Sequence, residues 1–237
     1  KQPRTNKNKT AVVAVGSFVG HRGHEQLWQL AREKAAEVGG DPYLYIGNKV
    51  GPKDPIPPEV KLQTWHKLYP EWTKNIDVVE KGGTHLQKIK HELINPLPGK
   101  PPGYNNIIIM VGNDPDEPKD SWPAALMKAV HKFPGYENVH VSLLLTPRGT
   151  GVSFTALRNA LLTGTPEEQL AVWEQGFDVQ KLGVDWIKKL MDITRKGMVK
   201  PNKPKKPLAG VGKQGKGLKE TKLKTLNQLI REGLQAL

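Results

Sequence analysis

The chain has no cysteine among its 237 residues. That absence excludes a disulfide framework, thiolate zinc sites and a cysteine nucleophile, and it leaves the redox compartment undetermined. Long hydrophobic runs are missing too. The longest β-branched apolar stretches, Ala11 to Val15 and Ile107 to Val111, fall far short of the roughly 20 residues that a membrane-spanning helix needs. Aromatic residues make up only 6%, yet the six tryptophans and a hydrophobic content of 37% exclude a wholly disordered chain. No signal peptide is visible. The polar start at Lys1, without Met, reads as the edge of a piece cut from a longer protein.

Acidic residues are in deficit, 23 against 36 Lys and Arg, for a formal charge of +13. The deficit is local. Residues 1–9 carry four basic residues and no acid, and residues 196–225 carry ten basic residues with Glu220 alone against them. Between them, residues 10–195 hold 21 basic and 21 acidic residues and are neutral. That neutral body is long enough to bury one sizeable core. The expected organisation is a basic N-terminal linker (1–9), an α/β domain (10–195), a Lys/Pro/Gly-rich linker (196–219) and an amphipathic C-terminal helix (220–237). The linker composition cannot form a packed core. Leu223, Leu226, Leu229, Ile230 and Leu234 give the last segment an apolar stripe that needs a partner, in this domain or in another chain. Ten basic residues in thirty suit nonspecific nucleic-acid contact through residues 196–225. No aromatic is interleaved between Lys196 and Lys224, so base stacking is excluded there.

Within the body, short β-branched runs alternate with helical patterns. Ala11 to Val15, Tyr43 to Ile46, Ile76 to Val79, Asn106 to Val111 and Val139 to Leu145 read as buried strands. Gly23 to Val38, Pro58 to Tyr69, Gly82 to Asn95, Thr155 to Leu162 and Val184 to Arg195 read as helices, with Gly39-Gly40 stopping the first and Pro58 opening the second. This order predicts an α/β fold, an open doubly wound parallel sheet of Rossmann-like type, followed by a basic C-terminal extension and a terminal helix.

The strongest chemical signal is Gly16-Ser17-Phe18-Val19-Gly20-His21-Arg22-Gly23-His24, between the first strand and the first helix. Glycines let the backbone approach a ligand closely, and a helix N-terminus offers free N–H groups to phosphate. A polar turn with two surface histidines is the plainer alternative. A second motif, Ser153-Phe154-Thr155-Ala156-Leu157-Arg158, opens a later helix.

Together these residues resemble the HxGH nucleotidyltransferase superfamily, with Gly-x-Phe and His-x-Gly-His after the first strand and Ser-x-Thr-x-x-Arg near the end of the sheet. Val111-Gly112-Asn113-Asp114 is similar to the Gly-x-Asp turn that many members place around the nucleotide. Asp54 to Lys61 weakly resembles the Asn-Pro-Phe-Thr-x-x-Glu-Arg stretch of the nicotinamide-mononucleotide adenylyltransferase branch. The resemblance spans about residues 11–195. It implies transfer of an adenylyl or cytidylyl group from ATP or CTP to a small phosphorylated acceptor, nicotinamide mononucleotide first, with pyrophosphate released and Mg²⁺ carried with the triphosphate. It assigns His21, His24 and Arg158 to catalysis. Nucleotide binding falls to Gly16, Ser17, Phe18, Gly23, Gly112, Asp114, Ser153 and Thr155, with Lys53 and Lys61 as further phosphate contacts. No protein side chain is assigned to a metal.

One departure stands out: Phe18 and His21 are separated by two residues where the family has three, and Gly20 is the residue able to absorb the deletion. The shortened turn keeps open the alternative of a catalytically degenerate domain with a structural or binding role in a larger protein. Phage-encoded proteins carry such domains, so the expected location is cytoplasmic or virion-associated, with no membrane contact. Asp114 reads equally as a turn residue before Pro115. Gly210 to Gly217 approaches a P-loop but lacks the Ser/Thr and a preceding strand. His85 and His91 have no third ligand at metal spacing and read as surface histidines, and Asn8-Lys9-Thr10 is a glycosylation pattern without a secretory context.

Overall fold

The computed structural model describes residues 9–95, 103–113, 122–130, 136, 139–147 and 152–198. Asp114, residues 1–8 of the expected N-terminal linker, residues 199–219 of the expected linker at 196–219 and the expected helix at 220–237 lie outside them, while residues 196–198 belong to the helix Val184–Met198 rather than to a linker.

Five strands form one parallel sheet: β1 (Thr10–Gly16), β2 (Asp41–Ile46), β3 (Ile76–Val78), β4 (Asn106–Asn113) and β5 (His140–Pro147), in the order β3-β2-β1-β4-β5. Val13 at the centre aligns with Tyr43 of β2 and with Ile109 of β4, which in turn aligns with Leu143 of β5. A strand buried on both faces needs apolar side chains at every position, which is why β1 is Ala-Val-Val-Ala-Val rather than an alternating pattern. Val12 and Ala14 face one helical layer, and Ala11, Val13 and Val15 face the other.

The first layer holds α1 (Arg22–Glu37), α2 (Pro58–Leu68), α5 (Phe154–Thr163), α6 (Pro166–Gly176), α7 (Val179–Leu182) and α8 (Val184–Met198). The second holds α3 (His85–Ile89), extended by a π-helical turn over Lys90–Ile94, and α4 (Trp122–Val130). Trp28, Trp65 and Trp173 are wholly buried in the first layer. Each indole removes roughly 200 Å² from water, about 5 kcal/mol at ~25 cal/mol per Å² before entropy is counted. The sheet is thus open and doubly wound, as the alternation of strands and helices predicts.

The α3 helix begins three residues later than its composition suggests, because Thr84 and Gln87 form a capping box that fixes the start at His85. Neither α6 nor α7 is among the helices expected from the pattern of apolar residues. Their signals are Thr165-Pro166-Glu167-Glu168, where Thr165 and Glu168 form a second capping box, and the Asp178 cap. Among the described residues no helix is long and apolar enough to cross a membrane.

Candidate functional site

The strand order reverses between β1 and β4, and doubly wound sheets open a crevice at the carboxyl ends of the strands where this happens. The loop after β1 enters it. Phe18 and Val19 are buried beneath the loop, and the Trp65 indole N–H donates to the Phe18 carbonyl at 3.1 Å. Gly20 then takes φ +92, and any side chain there would also meet Thr64 Cγ2 at 3.0 Å. This left-handed step turns the chain so that His21 arrives at the N-cap of α1.

Both histidine rings are oriented by backbone donors. The Gly23 N–H donates to His21 Nδ1 and the Val19 N–H donates to His24 Nδ1, each at 3.1 Å. A ring nitrogen that accepts carries no proton, so the neutral tautomer in both rings places its N–H at Nε2, the donor a phosphate oxygen requires. The two rings stack 3.8 Å apart, and the Phe18 ring meets His24 edge-on at 5.3 Å. A Cβ at residue 23 would lie 3.0 Å from His21 Cε1, which explains why the residue between the histidines next to His24 is glycine. Arg22 points away, its Nε–H donating to the Gln175 carbonyl at 3.1 Å and tying the loop to α6.

The second motif comes to the same place. Ser153 caps α5 through a 3.1 Å bond from the Ala156 N–H, and the Phe154 ring lies within 3° of parallel to His21 at a 6.4 Å centroid separation. The first turns of α1 and α5 are therefore in contact through these rings, and each helix N-terminus carries free backbone N–H groups. The Arg158 guanidinium reaches back over the first turn of α5. It donates to Thr155 Oγ1 and to the Pro52 carbonyl, each at 3.3 Å, and lies 5.8 Å from the Phe154 ring. The Trp173 indole N–H fixes α5 from behind with a 2.9 Å bond to the Leu157 carbonyl.

Lys61 of α2 is wholly buried, and its ammonium donates to Asp54 Oδ2 at 2.5 Å and to Ser17 Oγ at 2.9 Å. The Ser17 hydroxyl donates to the same Asp54 oxygen. Burial pushes the Lys61 ammonium below the ordinary lysine range, and the Asp54 charge opposes that shift. Asp54 Oδ1 and Arg158 Nε are buried without a hydrogen-bond partner among the described residues. Lys53 is exposed at the tip of the tight turn Gly51–Asp54. Gly16 ends β1 with the Phe18 ring against it, and Gly112, the penultimate residue of β4, lies beside Thr146 of β5.

His21, His24, Ser17, Phe18, Ser153, Thr155, Arg158 and Lys61 are thus linked by contacts around one mouth. Asp54, Pro52 and Phe154 belong to it as well; none of them is among the expected site residues, although Phe154 stands inside the second motif. His85 departs from the expected surface position. It is not a surface histidine but packs at the ends of β1 and β2, hydrogen-bonded to the backbones of Gly16 and Tyr45, and burial pushes its ring down to about 4. His91 is exposed. A separate cavity of about 340 Å³, between α6 and α8, is lined by Leu170, Lys188, Met191 and Arg195 and includes none of these residues.

No family model matches the chain, and no curated protein matches it. Among solved structures the chain is similar to the macrolide-efflux protein from Streptococcus pneumoniae, at 17% identity and a TM-score of 0.38 over 70% of this chain. The match spans 55% of that protein's length, and a likeness at this level carries neither fold nor function across.

Proposed function

We propose that the domain is a nucleotidyltransferase of the HxGH type, moving an adenylyl or cytidylyl group from ATP or CTP to a small phosphorylated acceptor, with nicotinamide mononucleotide as the leading candidate. The observation that carries this reading is the junction of two helix N-termini at His21 and Phe154, flanked by two histidines held as Nε2 donors. In such a transfer an acceptor phosphate oxygen attacks the α-phosphorus in line. The bond to the bridging oxygen breaks, and pyrophosphate leaves with the electron pair. No covalent step on the protein is needed, only donors and cations fixed where charge grows. His21 and His24 would donate to the oxygens around the α-phosphorus, while the N-terminus of α5 with Thr155 and Arg158 would hold the β- and γ-phosphates.

Mg²⁺ would neutralise charge on the departing pyrophosphate. Among the described residues no group of three or more His, Asp or Glu side chains converges to hold an ion. Pyrophosphate release from ATP or CTP, with Mg²⁺ and candidate acceptors, tests the reading. His24→Ala and Arg158→Ala should each lower kcat/KM by about 100-fold or more. A specific observation favours a second reading, binding without turnover: both Lys61 and Arg158 are already engaged by the Pro52–Asp54 segment. Nucleotide binding by calorimetry without any pyrophosphate release would select it.

A further inference from the structure

Two of the cations in the mouth are satisfied from within the protein, and one short segment supplies both acceptors. The Asp54 carboxylate takes Lys61 and Ser17, and the Pro52 carbonyl takes one arm of Arg158. One carboxylate oxygen, Asp54 Oδ2, accepting from an ammonium and a hydroxyl is the arrangement a phosphate oxygen would adopt on the same donors. We propose that the Gly51–Asp54 turn is a latch, in which Asp54 and the Pro52 carbonyl stand in for ligand phosphate, and that a pyrophosphate-bearing ligand displaces the turn when it binds. The proposal rests on the transferase-type reading of the site for its ligand class and adds the regulation of that site.

The turn is built to move as a unit. Its ends are tied together by reciprocal 2.9 Å bonds between the Gly51 and Asp54 backbones, so it keeps its shape when it swings. Lys49, Val50, Pro52 and Lys53 are exposed, and Val50 retains 52% of its accessible surface, so little apolar contact holds this stretch down. Both flanks are anchored. The Gly47 N–H donates to the Gly16 carbonyl at 2.7 Å on one side. On the other, Ile56 is wholly buried and Gly197 of α8 packs tightly against Pro55. Ahead of the turn the Asn48 side-chain amide donates to the Glu80 carbonyl; within the turn itself, among the described residues, the side-chain ties are the ion pair to Lys61, the Ser17 bond and the Arg158 bond. All three end on groups assigned to phosphate.

Asp54 also leaves its seat incompletely satisfied. Its Oδ1 has no partner among the described residues, and neither does Arg158 Nε beside Pro52. A phosphate with three oxygens could meet donors that one carboxylate and one carbonyl leave unused. Once Asp54 withdraws, a buried ammonium stands without its counter-ion, a state that itself favours capture of an anion.

The chain's lack of cysteine makes a direct test available. The full chain carrying Lys53→Cys, labelled with an environment-sensitive fluorophore, is titrated with inorganic pyrophosphate, and affinities are measured in parallel for the unlabelled chain and for Asp54→Asn. A saturable change in the fluorophore signal is expected. Asp54→Asn should bind pyrophosphate about tenfold more tightly, the ratio for a turn that is open about one part in ten before the substitution. Asp54→Ala repeats the comparison should the amide perturb folding. A label that stays silent at saturating pyrophosphate, absence of pyrophosphate binding in every variant, or an affinity unchanged or weakened in both Asp54 variants, overturns the latch. Tighter pyrophosphate binding in the Asp54 variants without pyrophosphate release from ATP or CTP would keep the latch and lose the transferase reading.

Discussion

Gly20 decides whether the short loop after β1 can work at all. Its φ of +92 is open to glycine and strained for other residues, and the neighbouring Thr64 methyl and Leu68 leave a Cβ no room. Gly20→Ala should therefore cost about 1–3 kcal/mol, read as a lowered urea midpoint with an unchanged slope. It should also weaken pyrophosphate binding, because the loop that places His21 must shift. His85 makes a different prediction, for pH. Its ring titrates at about 4 in the fold against 6.5 for the exposed group, because burial disfavours the charged form more than the Gly16 and Tyr45 backbones favour it. Between those two values the unfolded chain holds a proton that the folded chain refuses. Stability should therefore rise with pH across that window and fall as the solution is acidified from 6.5 toward 4, by up to about 3 kcal/mol from this residue. Denaturation curves at pH 7, 5.5 and 4.5 check it. In His85→Gln this part of the slope should vanish while the contribution of the carboxylates remains.

At the level of elements, the strands were legible because a strand buried on both faces must be a short run of Val, Ile and Ala bounded by glycine, as in β1 and β4. The helices α1, α2 and α8 were legible from their apolar stripes. In α6 the sequence Glu-Glu-Gln-Leu-Ala-Val-Trp-Glu-Gln has too thin a stripe, and only its capping box announces it. The convergence of the two motifs was legible because each follows a strand of one parallel sheet, so both must emerge on the same edge. The latch was not, because its partners lie 7 and 106 residues apart and nothing local couples Pro52 to Arg158. Nor was the link between β3 and α3. Lys88 of α3 is buried there, with its ammonium 2.7 Å from both Asp77 and Glu92 and 3.1 Å from Glu80, and 5.3 Å from the Tyr45 ring. Burial works to lower its pKa, but the hydrogen bonds and charges of Asp77 and Glu92 overcome it and raise the pKa above the ordinary lysine value. Lys88→Met keeps the packing volume and leaves three partly exposed carboxylates facing one another. The expected loss is about 1–3 kcal/mol at neutral pH, smaller than for a fully buried pair because solvent screens the acids. Raising acidity until the carboxylates protonate should close the gap between variant and parent, and a gap that persists below about pH 3 would mean that packing rather than charge was lost.

For the whole molecule, the charge of +13 is a misleading number until it is divided. Residues 10–195 are balanced at 21 basic and 21 acidic residues, so the anion binding proposed for the α/β body would come from placed groups rather than from a general positive field. The groups proposed for that role are the N-termini of α1 and α5, the two histidines, Arg158 and Lys61, which Asp54 holds. The net charge resides in the two terminal segments, and residues 196–225 carry most of it. The two kinds of anion binding should then separate by experiment. Contacts made by a Lys-rich segment release counterions, so affinity for mixed-sequence duplex DNA should fall steeply between about 50 and 200 mM salt, with a log–log slope near −0.9 per phosphate neutralised. Changing Lys200, Lys203, Lys205, Lys206, Lys213, Lys216, Lys219, Lys222 and Lys224 to glutamine in the full chain should flatten that slope toward zero. Pyrophosphate binding should survive the same substitutions, because its donors belong to the neutral body. If instead the DNA slope persists, the polyanion contact lies on the body, and the balance of charges there hides a local positive face. If pyrophosphate affinity collapses with the lysines, the mouth between α1 and α5 does not bind phosphate by itself, and the case for placed groups over bulk charge fails.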